Sequence, residues 1–403
     1  MSNTPSLRKK LLFSVGVSAI LLVVVYAMDN YAFPFLESTQ TFTFIESRIQ
    51  SPKRGAVSID TSRIFINVGY DAALVETRHG NEKITDREAL VKLLKDLETK
   101  TEYKEIFIDI RFEKGLNTPY DSVLVESILT MPNTFAVKHW DYNERQDAPL
   151  IDERLLDQAG YADYSGSIFN SSFSRYEFLQ HNGSSAALRL YNDIDGRTIK
   201  RHGWRVFSIY TDKGKLCNNA SFIRIPEDMS PRVLRYRGDQ EHTFRYYNLS
   251  EDIYGLMALD PSMQERFFND CKDKIIVIGD FISDQHDTYF NKQPGPYLNY
   301  LAYSTLRDGK HIVKWWIALI AFLVYSITLL FIVLQKSPVR WMVSWIKSRL
   351  VSFLASLFGY TVLLSIVSLL LFITTGRVLS IFVPSLLFTL IDDIYRYKKY
   401  DEN

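Results

Sequence analysis

The sequence predicts an α/β extracytoplasmic domain, a parallel or mixed sheet with flanking helices and an irregular insertion, joined to transmembrane helices. Three observations carry that prediction. Charged residues are dense between positions 29 and 314 and nearly absent from three long apolar runs outside that window. Each run approaches the roughly 20 apolar residues needed to cross a hydrocarbon layer. Inside the window, short apolar strands alternate with helix-like segments, as in parallel sheets with crossover helices.

The first run, Leu11 to Met28, follows Arg8, Lys9 and Lys10 with no acid nearby. Basic flanks stay inside, which assigns residues 1–10 to the cytoplasm and 11–28 to an anchor. A cleaved signal peptide ending at Val25-Tyr26-Ala27 is the competing reading. The apolar stretch is longer than a usual signal core, which favours a retained anchor.

Residues 29–314 form the outside domain. Arg63 to Val68 reads as a short strand ending at Gly69. Thr85-Asp86-Arg87-Glu88 reads as a capping box, followed by Leu90, Leu93, Leu94 and Leu97 at helical spacing. A strand is expected over Glu105 to Phe112, a helix over Asp121 to Leu129 and a strand over Thr134 to Lys138. Residues 141–250 are irregular and rich in Asp, Asn, Ser, Gly and Tyr. They read as an insertion with a hairpin at Asp195-Gly196, flanked by Leu188 to Asn192 and Thr198 to Arg201. Lys274 to Phe281 has the pattern of a fully buried strand, and a helix is expected over Tyr297 to Arg307. Cys217 and Cys271 are either bridged or two buried thiols.

Trp315 to Leu334 forms the second run, opened by tryptophans suited to the membrane interface. Residues 335–349 hold Lys336, Arg340, Lys347 and Arg349 without an acid and are assigned to the cytoplasm. The third run is 350–373. A fourth span over 377–394 is favoured, with three spans remaining open because the apolar part from Val378 to Ile391 is short and contains Pro384. Residues 395–403 form a cytoplasmic tail. With about a dozen residues after the last helix, no output domain is expected on this chain.

Composition is globular, 47% hydrophobic and 23% charged, and the net charge of +1 gives no basic field for nucleic acid. No Gly-x-Ser-x-Gly elbow, phosphate-binding Gly-x-x-x-x-Gly-Lys loop or His-Glu-x-x-His pattern occurs, so neither an enzyme nor a cofactor is expected. If the strands are parallel, Asp71, Asp109 with Arg111, and Asp280 share the carboxyl edge, where open α/β sheets bind ligands. The adjoining loop adds Asp284, His286 and Asp287. Converging carboxylates suit a hard cation or a cationic ligand. The plainer alternative is that Asp is simply frequent in the turns after strands. The turn Pro294-Gly295-Pro296 starts the helix leading to Trp315, and is expected to couple the sheet to the membrane.

One stretch carries a family likeness. Lys274-Ile-Ile-Val-Ile-Gly-Asp280, then His286-Asp287-Thr288, then Pro294-Gly295 and a helix with Ala302, Thr305, Leu306 and Gly309 before a membrane span, resembles the second type of CHASE domain. These are extracellular sensory domains found on cyclases and histidine kinases. Phe107-Ile108-Asp109-Ile110 is similar to a second signature of that family. The layout, an anchor, an outside domain of this size and about three closing helices, is also the family's. After the Pro-Gly turn the family usually shows a glutamate, a histidine and an asparagine, whereas this chain has Tyr297, Asn299 and Leu301. A ligand role of those groups is therefore not carried over.

The resemblance implies a sensory or ligand-binding module in the cytoplasmic (inner) membrane, multi-pass, with its main domain outside. Its expected partners are the lipid bilayer and an unidentified membrane or cytoplasmic signalling protein, with no nucleic acid. A domain tethered at both ends is of the kind that works as a homodimer, although no residue here specifies one. The alternative is a structural or assembly protein of the cell envelope whose outside domain binds another protein.

Overall fold

Apolar runs without polar alternation must be covered on both faces, and they form the centre of this fold. The computed structural model describes residues 6–30, 62–77, 80–163, 165–166, 173–181, 183–203, 208–223, 246–288, 292–346, 348–375 and 381–397. After helix α1 (Leu7–Asn30), the outside domain contributes six strands to one parallel sheet. In chain order these are β1 (Arg63–Asn67), β2 (Glu105–Asp109), β3 (Thr134–Lys138), β4 (Gly160–Tyr161), β8 (Tyr246–Asn248) and β9 (Ile275–Gly279). Their spatial order is β8-β1-β9-β2-β3-β4. Three further strands, β5 (Ile199–His202), β6 (Ile209–Asp212) and β7 (Lys215–Cys217), form a separate antiparallel sheet.

Register explains the layers. Phe65, Val277, Phe107 and Phe135 are aligned across four strands, and the next row is Ile66, Ile278, Ile108 and Ala136. Successive side chains point to opposite faces, so the two rows enter separate cores. The first core holds α4 (Ala186–Asp195) and α6 (Gly295–Arg307). The second holds α2 (Arg87–Lys100), α3 (Asp121–Thr130) and α5 (Pro261–Asp270).

Three local expectations are corrected. The N-cap of α2 is Asp86, not Thr85: its carboxylate accepts from the amides of Glu88 and Ala89, and an ionised acceptor at that position satisfies the free amides well. β2 stops at Asp109 rather than Phe112 because the chain there leaves the sheet, although Ile110 and Phe112 remain buried. The hairpin at Asp195-Gly196 does not form. Leu188 to Asn192 belong to α4, whose Ala187, Leu190 and Tyr191 are buried at helical spacing, and Gly196 at φ 59° ends that helix. The later arm is a strand, but Ile199–His202 pairs with Ile209–Asp212. Of the two readings open for Cys217 and Cys271, the structure has two buried free thiols, in different cores on opposite faces of the sheet.

Three helices among the described residues are long and apolar enough to cross a membrane: Leu7–Ala27, Trp315–Val333 (α7) and Arg349–Leu371 of α8 (Arg349–Thr375). Leu21 and Val25 of α1 pack in one cluster with Ala321, Tyr325 and Leu329 of α7. The expected fourth span corresponds in part to α9 (Phe382–Tyr397), and residues 376–380 lie outside the described residues. At 16 residues α9 is about 24 Å long. Its Asp392 lies 3.9 Å from Arg340 and 3.4 Å from Arg396, and its Asp393 lies 3.3 Å from Arg349. Arg340 and Arg349 of the basic segment thus find counter-charges on α9.

Candidate functional site

Adjacent strands β9 and β2 send the chain to opposite faces, β9 towards α6 and β2 towards α3. Such a divergence opens a crevice beyond the carboxyl ends of the strands. A cleft of about 750 Å³ occupies that place. Asp109, Arg111, Asp280, Asp284 and His286 line it, so five of the seven strand-end residues come together.

Asp109 ends β2 opposite Gly279 of β9. Its Oδ2 accepts from Asn299 Nδ2 at 2.8 Å, and Asn299 Oδ1 accepts from the Tyr176 hydroxyl at 2.6 Å. Burial pushes the Asp109 carboxyl up to about 6, against the Asn299 hydrogen bond and the His139 charge, which lower it. Asp284 is pushed up to about 7, first by burial and then by the charges of Asp109 and Asp280. Its Oδ1 lies 2.7 Å from His286 Nε2, and burial holds that imidazole below its ordinary range. Asp280 Oδ1 caps its own turn, accepting from the amides of Ile282 and Ser283 at 2.8 and 2.7 Å. Arg111 pairs with Glu113 at 2.6 Å on the rim.

Two expected residues stand elsewhere. Asp71 is buried and accepts from the amide of Ser250 at 3.2 Å, because β1 is separated from β2 by β9 and its carboxyl end faces residues 249–256. Asp287 is exposed on the ribbon Gln285–Asp287/Lys292–Pro294, with Lys292 Nζ at 4.0 Å. Among the described residues no three His, Cys, Asp or Glu groups are placed to hold a metal ion.

The cleft also recruits residues that the strand-end reading passed over. His139, one residue beyond β3, lies with Nδ1 3.0 Å from Asp163 Oδ1, and Asp163 Oδ2 accepts from the Trp140 amide at 2.8 Å. Extending the strand-end rule to β3 points to His139. Asn299 is four residues after Gly295 and so shares its helix face. It is one of the three residues that depart from the family pattern, yet it puts a polar group into the cleft. Six carboxylates against Lys83 and Arg111 make the wall predominantly acidic, suited to hydrogen-bond donors and cationic groups.

The turn Pro294-Gly295-Pro296 closes the floor. Pro294 is the N-cap of α6, and the Gly295 amide donates to the Asp284 carbonyl at 2.9 Å. A Cβ at Gly295 would collide with the Asp284 carboxylate and meet His286 Nε2 at 3.0 Å, so only glycine permits this approach. On the other side, a Cβ at Gly279 would collide with Pro296. The cleft acids and the start of α6 are therefore in direct contact.

At its other end α6 leads to a joint with the membrane helices. His311 Nε2 lies 2.9 Å from Asp212 Oδ2 on β6, and both side chains are fully buried. Tyr191 and Arg197 also donate to that carboxylate, at 2.8 and 2.6 Å. Burial alone would raise Asp212, but the hydrogen bonds from His311, Tyr191 and Arg197 hold it below the ordinary carboxyl range. The Val313 amide donates to the Leu216 carbonyl and the Asn218 amide to the His311 carbonyl, both at 2.9 Å. From α1, the Tyr26 hydroxyl donates to the Cys217 carbonyl at 2.8 Å, and Asn30 Oδ1 accepts from the Asn219 amide at 2.5 Å. The antiparallel sheet β5–β7 thus grips the ends of both α1 and the segment entering α7.

Comparison with known proteins adds one finding: the model of a family described as the CHASE2 domain matches residues 18–334, most of the chain. No curated protein and no solved structure matches.

Proposed function

Because the chain belongs to the CHASE2 domain family, a family of extracellular sensory domains, we propose that it binds a ligand in the strand-end cleft and signals through its helices to a separate partner protein. The observation that carries this reading is the continuity of α6. Its first turns hold Asn299 against Asp109, and the segment after its last turn delivers His311 to Asp212 in the joint. A change in cleft occupancy that shifts α6 is therefore felt where α1 and α7 meet the domain. Transmission requires a ligand that binds two arrangements of this linkage with different affinity.

In this reading the protein sits in the cytoplasmic membrane as a multi-pass chain with the sheet outside. The basic flanks at Arg8–Lys10 and within 335–349 support that orientation. The cleft works by binding and not by turnover. Two of its carboxylates, Asp280 and Asp163, accept from backbone amides and so stand as fixed acceptors on the cleft wall.

The test is crosslinking of the full-length chain in its native membrane, affinity capture and mass spectrometry. Recovery of a separate signalling protein, lost when Tyr26 is replaced by Phe at the joint, supports the proposal. Recovery of envelope-assembly proteins alone, indifferent to that substitution, transfers the chain to an assembly role.

A further inference from the structure

The joint also presents an uncovered face at the level where the chain enters the bilayer. In an antiparallel sheet, residues paired across strands share a face. Lys200 pairs with Thr211 and Thr211 with Leu216, while His202 pairs with Ile209. These five therefore lie on one side of the sheet. Ile199, Tyr210, Asp212 and Cys217 lie on the other and are buried. The outer side is open: Ile209 is 51% and Leu216 40% exposed.

The height of this face follows from the contacts. Tyr26, gripped by Tyr210 and Cys217, is in the last turn of the apolar stretch Leu7–Ala27. Val313, bonded to Leu216, is two residues before Trp315, where the second apolar stretch starts. Strands β6 and β7 are thus within a residue or two of the points where both helices leave the hydrocarbon. Charge fits the same location. Among the described residues from Ile199 to Asn218, Lys200, Arg201, Lys213 and Lys215 are exposed, and the only acid is the buried Asp212. Lys213 and Gly214, at φ 47° and 76°, form the tight turn that joins β6 to β7, whereas Arg201 and Lys215, paired with Tyr210 and Asp212, fall on the other side of the sheet.

We propose that the outer face of β5–β7 rests on the bilayer surface, with Ile209 and Leu216 inserted among the acyl-chain ends and with Lys200 of that face and Lys213 of the turn on anionic phospholipid headgroups. It rests on the reading that α1 and α7 span the membrane, but needs no ligand or signalling partner. Aliphatic side chains at the boundary and basic residues near an anionic surface each favour association. The joint that receives α6 is then bedded in lipid, and its freedom to move depends on headgroup charge.

The experiment uses the full-length chain in vesicles of phosphatidylcholine alone or mixed with phosphatidylglycerol. A nitroxide is placed at Ile209→Cys or Leu216→Cys, and at Leu256→Cys, an exposed position in the helical segment that follows β8. The unsubstituted chain checks that the buried Cys217 and Cys271 stay unlabelled. The expected result is preferential relaxation by oxygen at 209 and 216, and by a water-soluble nickel chelate at 256. Phosphatidylglycerol is expected to strengthen the lipid contact at 209 and 216 by at least about threefold. Replacing Lys200 and Lys213 with Gln should remove that increment. Water exposure at 209 and 216 equal to that at 256 would overturn the proposal, as would spin–spin broadening from a second copy covering the face. Equal depth in both lipid mixtures would overturn the anionic-headgroup assignment.

Discussion

The Tyr26 hydroxyl donates to the carbonyl of Cys217 at 2.8 Å and accepts from the amide of Tyr210 at 3.1 Å, residues that face each other across β6 and β7. A side chain from the first membrane helix is thereby clipped between two strands of the outside domain. Two backbone groups depend on one phenolic oxygen, so a change in the helix is a change in the sheet.

Replacing Tyr26 by Phe removes both bonds while keeping the ring. Each half-buried backbone group left without its partner costs about 1 kcal/mol or somewhat more. The expected outcome is faster hydrogen exchange at the Tyr210 amide and its strand neighbours, with β1, β2 and β9 unchanged. Unaltered exchange at Tyr210 would separate the helix from the sheet.

Asp212 receives His311, Tyr191 and Arg197 in a site where its own side chain is fully buried. Asp212→Asn keeps the shape and removes the charge, stranding the Arg197 guanidinium. Loss of one partner of a buried pair is expected to destabilise the outside domain by about 3 kcal/mol. Thermal unfolding measures this, and a drop no larger than that of an exposed substitution such as Lys213→Gln would refute it.

The cleft carboxyls make stability depend on pH. Asp109 and Asp284 are raised from an ordinary value of 3.8 to about 6 and about 7. Between those limits the folded state holds protons that the unfolded chain releases, so stability is full in acid and falls as pH rises through that window. His286, held low by burial, acts in the opposite sense below its ordinary range. The expected melting temperature therefore declines from weakly acidic towards neutral pH, and Asp109→Asn or Asp284→Asn flattens the decline. A profile with the same slope in those variants would show that neither group titrates there.

Gly295→Ala puts a methyl group into the Asp284 carboxylate and against His286. The loop, the turn or both must move, at an expected cost of about 1–3 kcal/mol. Melting temperature should fall, and fall less when Asp284→Gly is combined with it, because the second change empties the space.

Asn299→Ala leaves two buried oxygens, Asp109 Oδ2 and the Tyr176 hydroxyl, without the amide that joins them. An expected loss of about 1–3 kcal/mol follows from the unmet hydrogen bonds. Asn299→Asp tests the electrostatics separately: it opposes two carboxylates and should push Asp109 further up, visible by carboxyl-resolved titration.

The division between what was legible in the chain and what was not has a physical basis. Sheet and span signals are local. Ile275 to Gly279 or Trp315 to Val333 must be covered by protein or lipid whatever the rest of the chain does, and strand-end acids follow from where strands stop. That determined the α/β class, the three apolar helices and Asp109, Asp280, Asp284 and His286 as neighbours. Local pattern could not exclude a hairpin at Asp195-Gly196, because Asp-Gly ends a helix as readily as it turns two strands. Strand order was likewise undetermined, and the insertion of β9 between β1 and β2 is what separates Asp71 from the cleft. The joint was invisible for a further reason. Tyr26 and Cys217 are 191 positions apart, as are Asp109 and Asn299 by 190, and hydrogen bonds over such separations carry no periodic mark. Only the folded backbone, bringing both membrane helices to one three-stranded sheet, decided which polar residues act together.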